Sequence, residues 1–120
     1  MDEYSARLSG AVLDLLGVTE LLEKLDVRKI CERGAAIKAR HGHVYAEASC
    51  IVGAQGRGLK ELLLILTEVR PELLNLGVTT IEISALMERE EQVSGELDAD
   101  EIALLAELSA HFSWSVLKAD

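Results

Sequence analysis

A chain of 120 residues with an apolar share of 49% is expected to be one domain, long enough to bury a core without disulfide or metal staples. Its only aromatics are Tyr4, Tyr45, Phe112 and Trp114, which excludes a base-stacking surface, and a net charge of −9 argues against nucleic acid as a general partner, since phosphate contacts need clustered Lys and Arg. The charge is uneven: residues 28–60 hold seven bases (Arg28, Lys29, Arg33, Lys38, Arg40, Arg57, Lys60) against two acids (Glu32, Glu47), a local +5 that leaves −14 on the remainder.

In chain order, Tyr4, Ala6 and Leu8 alternate with Glu3, Ser5 and Arg7, which predicts a half-buried strand over Glu3 to Ser9, ended by Gly10. Val12, Leu15, Leu16, Leu21, Leu22 and Leu25 have helical spacing but are interrupted by Gly17. The expectation is a helix from Thr19, as cap, to Leu25, with Ala11 to Leu16 also helical. Val27 to Cys31 and Ala35 to Ala39 read as short strands around a turn at Arg33-Gly34, and His41-Gly42 marks the next turn. His43 to Val52 is the clearest strand, with Val44, Ala46, Ala48, Cys50 and Val52 on one face. Its small residues would let a helix lie close.

Gly53 to Gly58 then connects to the stretch that organises the chain, LKELLLILTEVRPELLNL. Leu59, Leu62, Leu63, Leu66, Leu73 and Leu74 fall on one helical stripe, widened by Leu64 and Ile65, and so require a cover, most economically a sheet. Pro71 lacks the amide that would bond to the Thr67 carbonyl, which predicts a kink or break at Arg70. After Gly77, Val78 to Ala85 forms a strand with Thr79, Ile81 and Ile83 inward, and Met87 to Gly95 is a loop or an extension of it. Asp98 and Glu101 make a capping box with Leu97 and Ile102 as staple, opening a helix through Leu105 and Leu108; Phe112, Trp114 and Val116 close the chain as a strand. The order β-α-β-β-β-α-β-α-β, with adjacent hairpin-linked strands, implies an α+β fold: a mainly antiparallel sheet with helices packed on one face, a single-layer sandwich.

The opening strand ending in Leu8-Ser9-Gly10, the Lys/Arg-rich hairpin with Gly34, the strand through Tyr45-Ala46-Glu47, the proline-containing leucine helix, the IEIS segment and the closing ELDADEIALLAELSAHFSWSV together resemble the bacterial family called domain of unknown function 4279. The resemblance spans nearly the whole chain and carries no catalytic motif. It implies a small bacterial single-domain protein, some relatives of which look like immunity or other partner-binding proteins.

Candidate chemistry is sparse. His41 and His43 with Cys31 and Cys50 are metal-ligand types, but their spacing matches no zinc framework, and no metal or other cofactor is expected. Gly53, Gly56 and Gly58 precede a helix whose amides, with Arg57 and Lys60, could hold an anion, although they match neither dinucleotide nor P-loop spacing. Cys50 reads as an inert core thiol and Cys31, beside Lys29 and Arg33, as the more acidic one. In a reducing compartment both are expected unbridged. The acidic residues Glu88, Glu90, Glu91, Glu96 and Asp100 form a candidate docking edge.

Asp2 and Glu3 stand where a signal peptide would carry bases and no apolar run reaches membrane length, so the expectation is a cytoplasmic protein without membrane contact. No acid, base and nucleophile converge. The favoured reading is a non-enzymatic protein-binding domain of the immunity or inhibitor kind, its acidic edge docking a basic protein partner. The alternative is a small-molecule or anion-binding domain, or an enzyme, built on the basic hairpin and glycine connector.

Overall fold

Alternate residues of a strand point to opposite faces, so apolar residues two apart define an inner face. Ala6 with Leu8, Cys50 with Val52 and Ile81 with Ile83 do this in three strands, and in the structure, a computed structural model, the three pairs stand side by side. The structure describes residues 3–37, 42–54, 56–89 and 97–118. The elements are β1 (Glu3–Gly10), α1 (Leu15–Leu21), β2 (Asp26–Cys31), β3 (Ala48–Gly53), α2 (Leu59–Glu68), α3 (Arg70–Asn75), β4 (Thr80–Arg89), α4 (Ala99–Leu108) and β5 (His111–Lys118). They form an α+β fold with one sheet in the order β2-β3-β1-β4-β5. Three pairings are antiparallel; β4 and β5 run parallel, with α4 between them in sequence.

The register draws one apolar row across the whole sheet: Val27, Val52, Ala6, Ile83 and Phe112. A second row joins Ile30, Cys50, Leu8 and Ile81. On this side lie the helices, whose buried Val18, Leu22, Leu62, Leu63, Leu66 and Leu73 complete the core. Each such leucine contributes roughly 1.5–3 kcal/mol by leaving water. The opposite face carries Lys29, Ile51, Arg7, Glu82 and His111 in register, and Arg7 pairs with Glu82 at 3.6 Å. Past β2 the described residues 32–37 and 42–47 pair as an arm, the Gly34 amide donating to the Tyr45 carbonyl at 2.8 Å. Arg33 reaches the Ala11 carbonyl at 3.4 Å, and Ala35, Ala36, Ile37 and Tyr45 line a cleft with Lys29 and Cys31.

Local chemistry explains where the helices start and stop. Asp14 caps α1, accepting from the Gly17 amide at 3.0 Å, so the helix begins earlier than a cap at Thr19 would place it. Gly17 is tolerated there because α1 and α3 approach closely: a Cβ would come within 2.7 Å of the Leu76 side chain. The leucine helix breaks as its proline requires. α2 ends at Glu68, Val69 is shared as cap, and Pro71 sits in the first turn of α3. The capping box of α4 is complete, with Asp98 accepting from the Glu101 amide at 2.7 Å and Glu101 from the Asp98 amide at 3.0 Å.

Three expectations need correction. No strand forms over the described part of 35–39, where a single bridge joins Ala36 to Val44, because a narrow two-stranded arm has no sheet neighbour to pack on; 38–41 lie outside the described residues. The element order is therefore β-α-β-β-α-α-β-α-β, one strand fewer and one helix more. β3 starts at Ala48 rather than His43, leaving Ala46 exposed. The leucine stripe is narrower than expected: Leu64 and Leu74 face water at least in half, as do Leu16 of α1 and Ile102 of α4 outside it. Of the two readings of Met87 to Gly95, the described part takes the strand extension: β4 continues through Arg89, and 90–96 lie outside the described residues.

Candidate functional site: the groove between α2 and α4

α2 and α4 pack against each other on the helix side of the sheet, and their first turns are tied by charge. Lys60 Nζ lies 3.1 Å from an Asp98 carboxylate oxygen and 3.4 Å from one of Asp100. A cation in the first turn of a helix opposes the helix dipole, and the two carboxylates offset that penalty. The hydrogen bond to Asp98, then its charge and the bond to Asp100, hold the Lys60 ammonium above its ordinary range. Asp98 moves the other way, lowered first by the Glu101 amide and then by Lys60.

Beyond this pair a groove runs between the helices, lined by Lys60, Leu64, Asp100, Ala103, Leu104 and Glu107. Helical spacing makes it: Lys60 and Leu64 are one turn apart on α2, as are Asp100 with Leu104 and Ala103 with Glu107 on α4. Leu64 is 50% exposed in a helix whose other leucines are almost all buried. The result is an apolar floor with carboxylates on the α4 side.

Of the expected acidic edge, Asp100 lies in this groove and Glu88 stands in β4 opposite Leu117 of β5. Glu90, Glu91 and Glu96 lie outside the described residues. The acids of the sequence nevertheless segregate in space. Among the described residues, α4 and its cap carry Asp98, Asp100, Glu101 and Glu107 with no base, whereas β2 and the residues just after it mix Arg28, Lys29 and Arg33 with Asp26 and Glu32 at the other end of the sheet.

The two cations of the alternative anion site are both engaged. Arg57 donates to the Lys24 carbonyl at 2.8 Å and lies 3.9 Å from Glu61, while Lys60 is held as described. Gly53 belongs to β3 and is covered by the Arg28 guanidinium, which a Cβ there would strike; Gly56 takes a positive φ of 78° and Gly58 is the α2 N-cap. Packing and turn geometry thus account for the glycines.

The cysteines face opposite sides of the sheet, Cys50 in register with Ile30 toward the helices and Cys31 in register with Ser49 on the other face, an orientation that no disulfide can join. Burial pushes the Cys50 thiol up to about 11 from 9.0. His43 lies on the return limb of the 32–47 arm, its carbonyl accepting from Ile37, and His41 is outside the described residues. Among the described residues no three His, Cys, Asp or Glu side chains converge as metal ligands, and no helix is long and apolar enough to cross a membrane.

Sequence reasoning missed Leu64, Ala103, Leu104 and Glu107 as a set. Their spacing within each helix was visible, but nothing in the chain order said that α2 and α4 would lie side by side. Comparison with models of known families, with curated proteins and with solved structures finds no match for this chain.

Proposed function

We propose that the protein is a non-enzymatic docking domain that takes a basic protein partner on its acidic side, through the groove between α2 and α4. The observation that carries this reading is Leu64, half exposed between two helices and facing Ala103 and Leu104, with Asp100 and Glu107 alongside. A partner helix could set an apolar side chain on Leu64 and Leu104 while its lysines or arginines, one turn away, meet the carboxylates. The concentration of acid on this side supplies attraction at a distance, and the apolar floor supplies what charge alone cannot, a fixed position. An immunity or inhibitor role, in which such a surface covers a cationic protein, fits this chemistry and the sequence resemblance. The commitment of Arg57 and Lys60 to local acceptors weighs against the anion-binding alternative.

Calorimetric titration with an amphipathic helical peptide of leucine and lysine tests it, beside a control peptide of equal charge without leucine. The leucine-containing peptide should bind the tighter by about tenfold or more, and Leu64→Glu should abolish that difference. Equal binding of the two peptides, or binding indifferent to Leu64→Glu, would overturn the groove as the docking site.

A further inference from the structure

Each end of the sheet is a strand with a neighbour on one side, and the core leaves β2 incompletely covered. Five of its six residues are exposed. Val27 and Ile30 continue the two apolar rows of the helix side, in register with Val52 and Cys50, yet Val52 and Cys50 are wholly buried while Val27 is 37% and Ile30 51% exposed. The apolar face therefore extends one strand beyond its cover. A terminal strand also offers backbone N–H and C=O groups along its outer edge, the usual template for adding another strand.

Charge selects what could be added. Arg28 is turned inward over Gly53 and lies 3.7 Å from both Glu3 and Asp26. Arg33, just past the strand, donates to the Ala11 carbonyl at 3.4 Å, whereas Lys29, on the open face, has no carboxylate within ion-pair distance among the described residues. Beside Lys29 a cleft lined by Ile30, Cys31, Ala35, Ala36, Ile37 and Tyr45 gives this edge a recess of its own. A second copy of the chain is a poor occupant. Laid antiparallel through the middle of β2, it sets Arg28 against Lys29, or each of them against itself, and like charges directly opposite destabilise a strand pair.

We propose that the outer edge of β2 is a docking site for an extended acidic peptide segment, which adds to the sheet as a sixth strand. Its alternate apolar side chains extend the rows of Val27 and Ile30 on the helix side. The side chains between them, carboxylates, meet Lys29 on the other face. This site is separate from the acidic groove, lies across the sheet from it, and takes a partner of opposite charge.

The test uses the whole chain and a short acetylated peptide of alternating glutamate and valine, with a lysine–valine peptide as control. Binding is read by fluorescence anisotropy and located by amide hydrogen exchange. The glutamate–valine peptide should bind saturably, slow exchange of the β2 amides, and lose about tenfold or more in affinity on Lys29→Glu, while the lysine–valine peptide binds more weakly. Lys29 is exposed, so that variant should keep the native circular dichroism; Ile30→Asp, tested beside it, should weaken binding as well. Four results would each overturn the proposal: no binding at millimolar peptide; equal affinity for the two peptides; affinity unchanged by Lys29→Glu; or protection appearing at β5 instead of β2. Concentration-dependent protection of β2 without peptide would also overturn it, by naming a second copy as the occupant.

Discussion

The Lys60 ammonium and the Asp98 carboxylate, 3.1 Å apart, join the first turn of α2 to the cap of α4. Asp98 serves both helices, as acceptor for the Glu101 amide and as counter-ion for Lys60. Asp98→Ala should lower the melting temperature at neutral pH and speed hydrogen exchange in the first turn of α4. The pH dependence has a definite sign. Because the folded value of Asp98 lies below its ordinary 3.8, its contribution is complete above about that pH and is lost as pH falls through the folded value. The gap in melting temperature between wild type and variant should thus close in acid. A gap that persists through the acid range would contradict the pairing.

Leu66→Ala should cost roughly 2–5 kcal/mol in urea denaturation, because Leu66 is fully buried beneath the sheet with Leu62 and Leu63. Leu64→Ala, two residues earlier and half exposed, should cost under about 1 kcal/mol. Similar losses at the two positions would mean that the stripe is oriented otherwise.

Gly10 and Gly77 bring two backbones together where β1 leaves the sheet and β4 enters it. A Cβ on Gly10 would fall on the Gly77 carbonyl oxygen, and Gly77 itself has φ 95° with the Val12 carbonyl oxygen at 2.5 Å from a Cβ. Hydrogen bonds from Asp14 N–H to the Leu76 carbonyl and from Thr79 N–H to the Ser9 carbonyl, both 2.8 Å, fix the approach. Alanine at either glycine should therefore cost about 1–3 kcal/mol or more. Gly58→Ser should instead stabilise by about 0.3 kcal/mol, since it gives α2 the capping side chain it lacks.

Cys50 should resist alkylation in the native protein. With its thiol pushed up to about 11, the thiolate fraction at pH 8 is on the order of one in a thousand, and burial blocks access as well. Its labelling rate should rise on unfolding to that of an ordinary thiol. Rapid native labelling at Cys50, located by mass spectrometry, would contradict its place among the core residues.

Much of this was legible in the chain. Ala6 and Leu8, or Ile81 and Ile83, declare an inner face by spacing alone, Asp98 and Glu101 declare a helix start, and Pro71 declares a break. Each is a local signal, and each was realised, the break one residue before the expected Arg70, at Val69. What the chain did not declare was relational. Ala35 and Ile37 have strand-forming spacing, yet among the described residues there only the single bridge of Ala36 to Val44 forms, and Leu64 belongs by composition to the stripe yet faces a groove created by the position of α4. The parallel pairing of β4 with β5 brings α4 beside α2, and that pairing depends on contacts distant in sequence. The groove, being made of two helices, inherits the same dependence.

The most direct test of acid-side docking is the rate at which the leucine–lysine helical peptide associates with the protein, followed by stopped-flow fluorescence at rising salt and repeated with Glu107→Lys. Charges on this side reinforce one another within a Debye length of about 8 Å at physiological ionic strength, so association should fall steeply with salt and again on the reversal, with dissociation changed much less. Glu107 is exposed, and its reversal should leave stability within about 0.5 kcal/mol of wild type. An association rate indifferent both to salt and to Glu107→Lys would contradict the account and leave the groove a solvated surface between two helices.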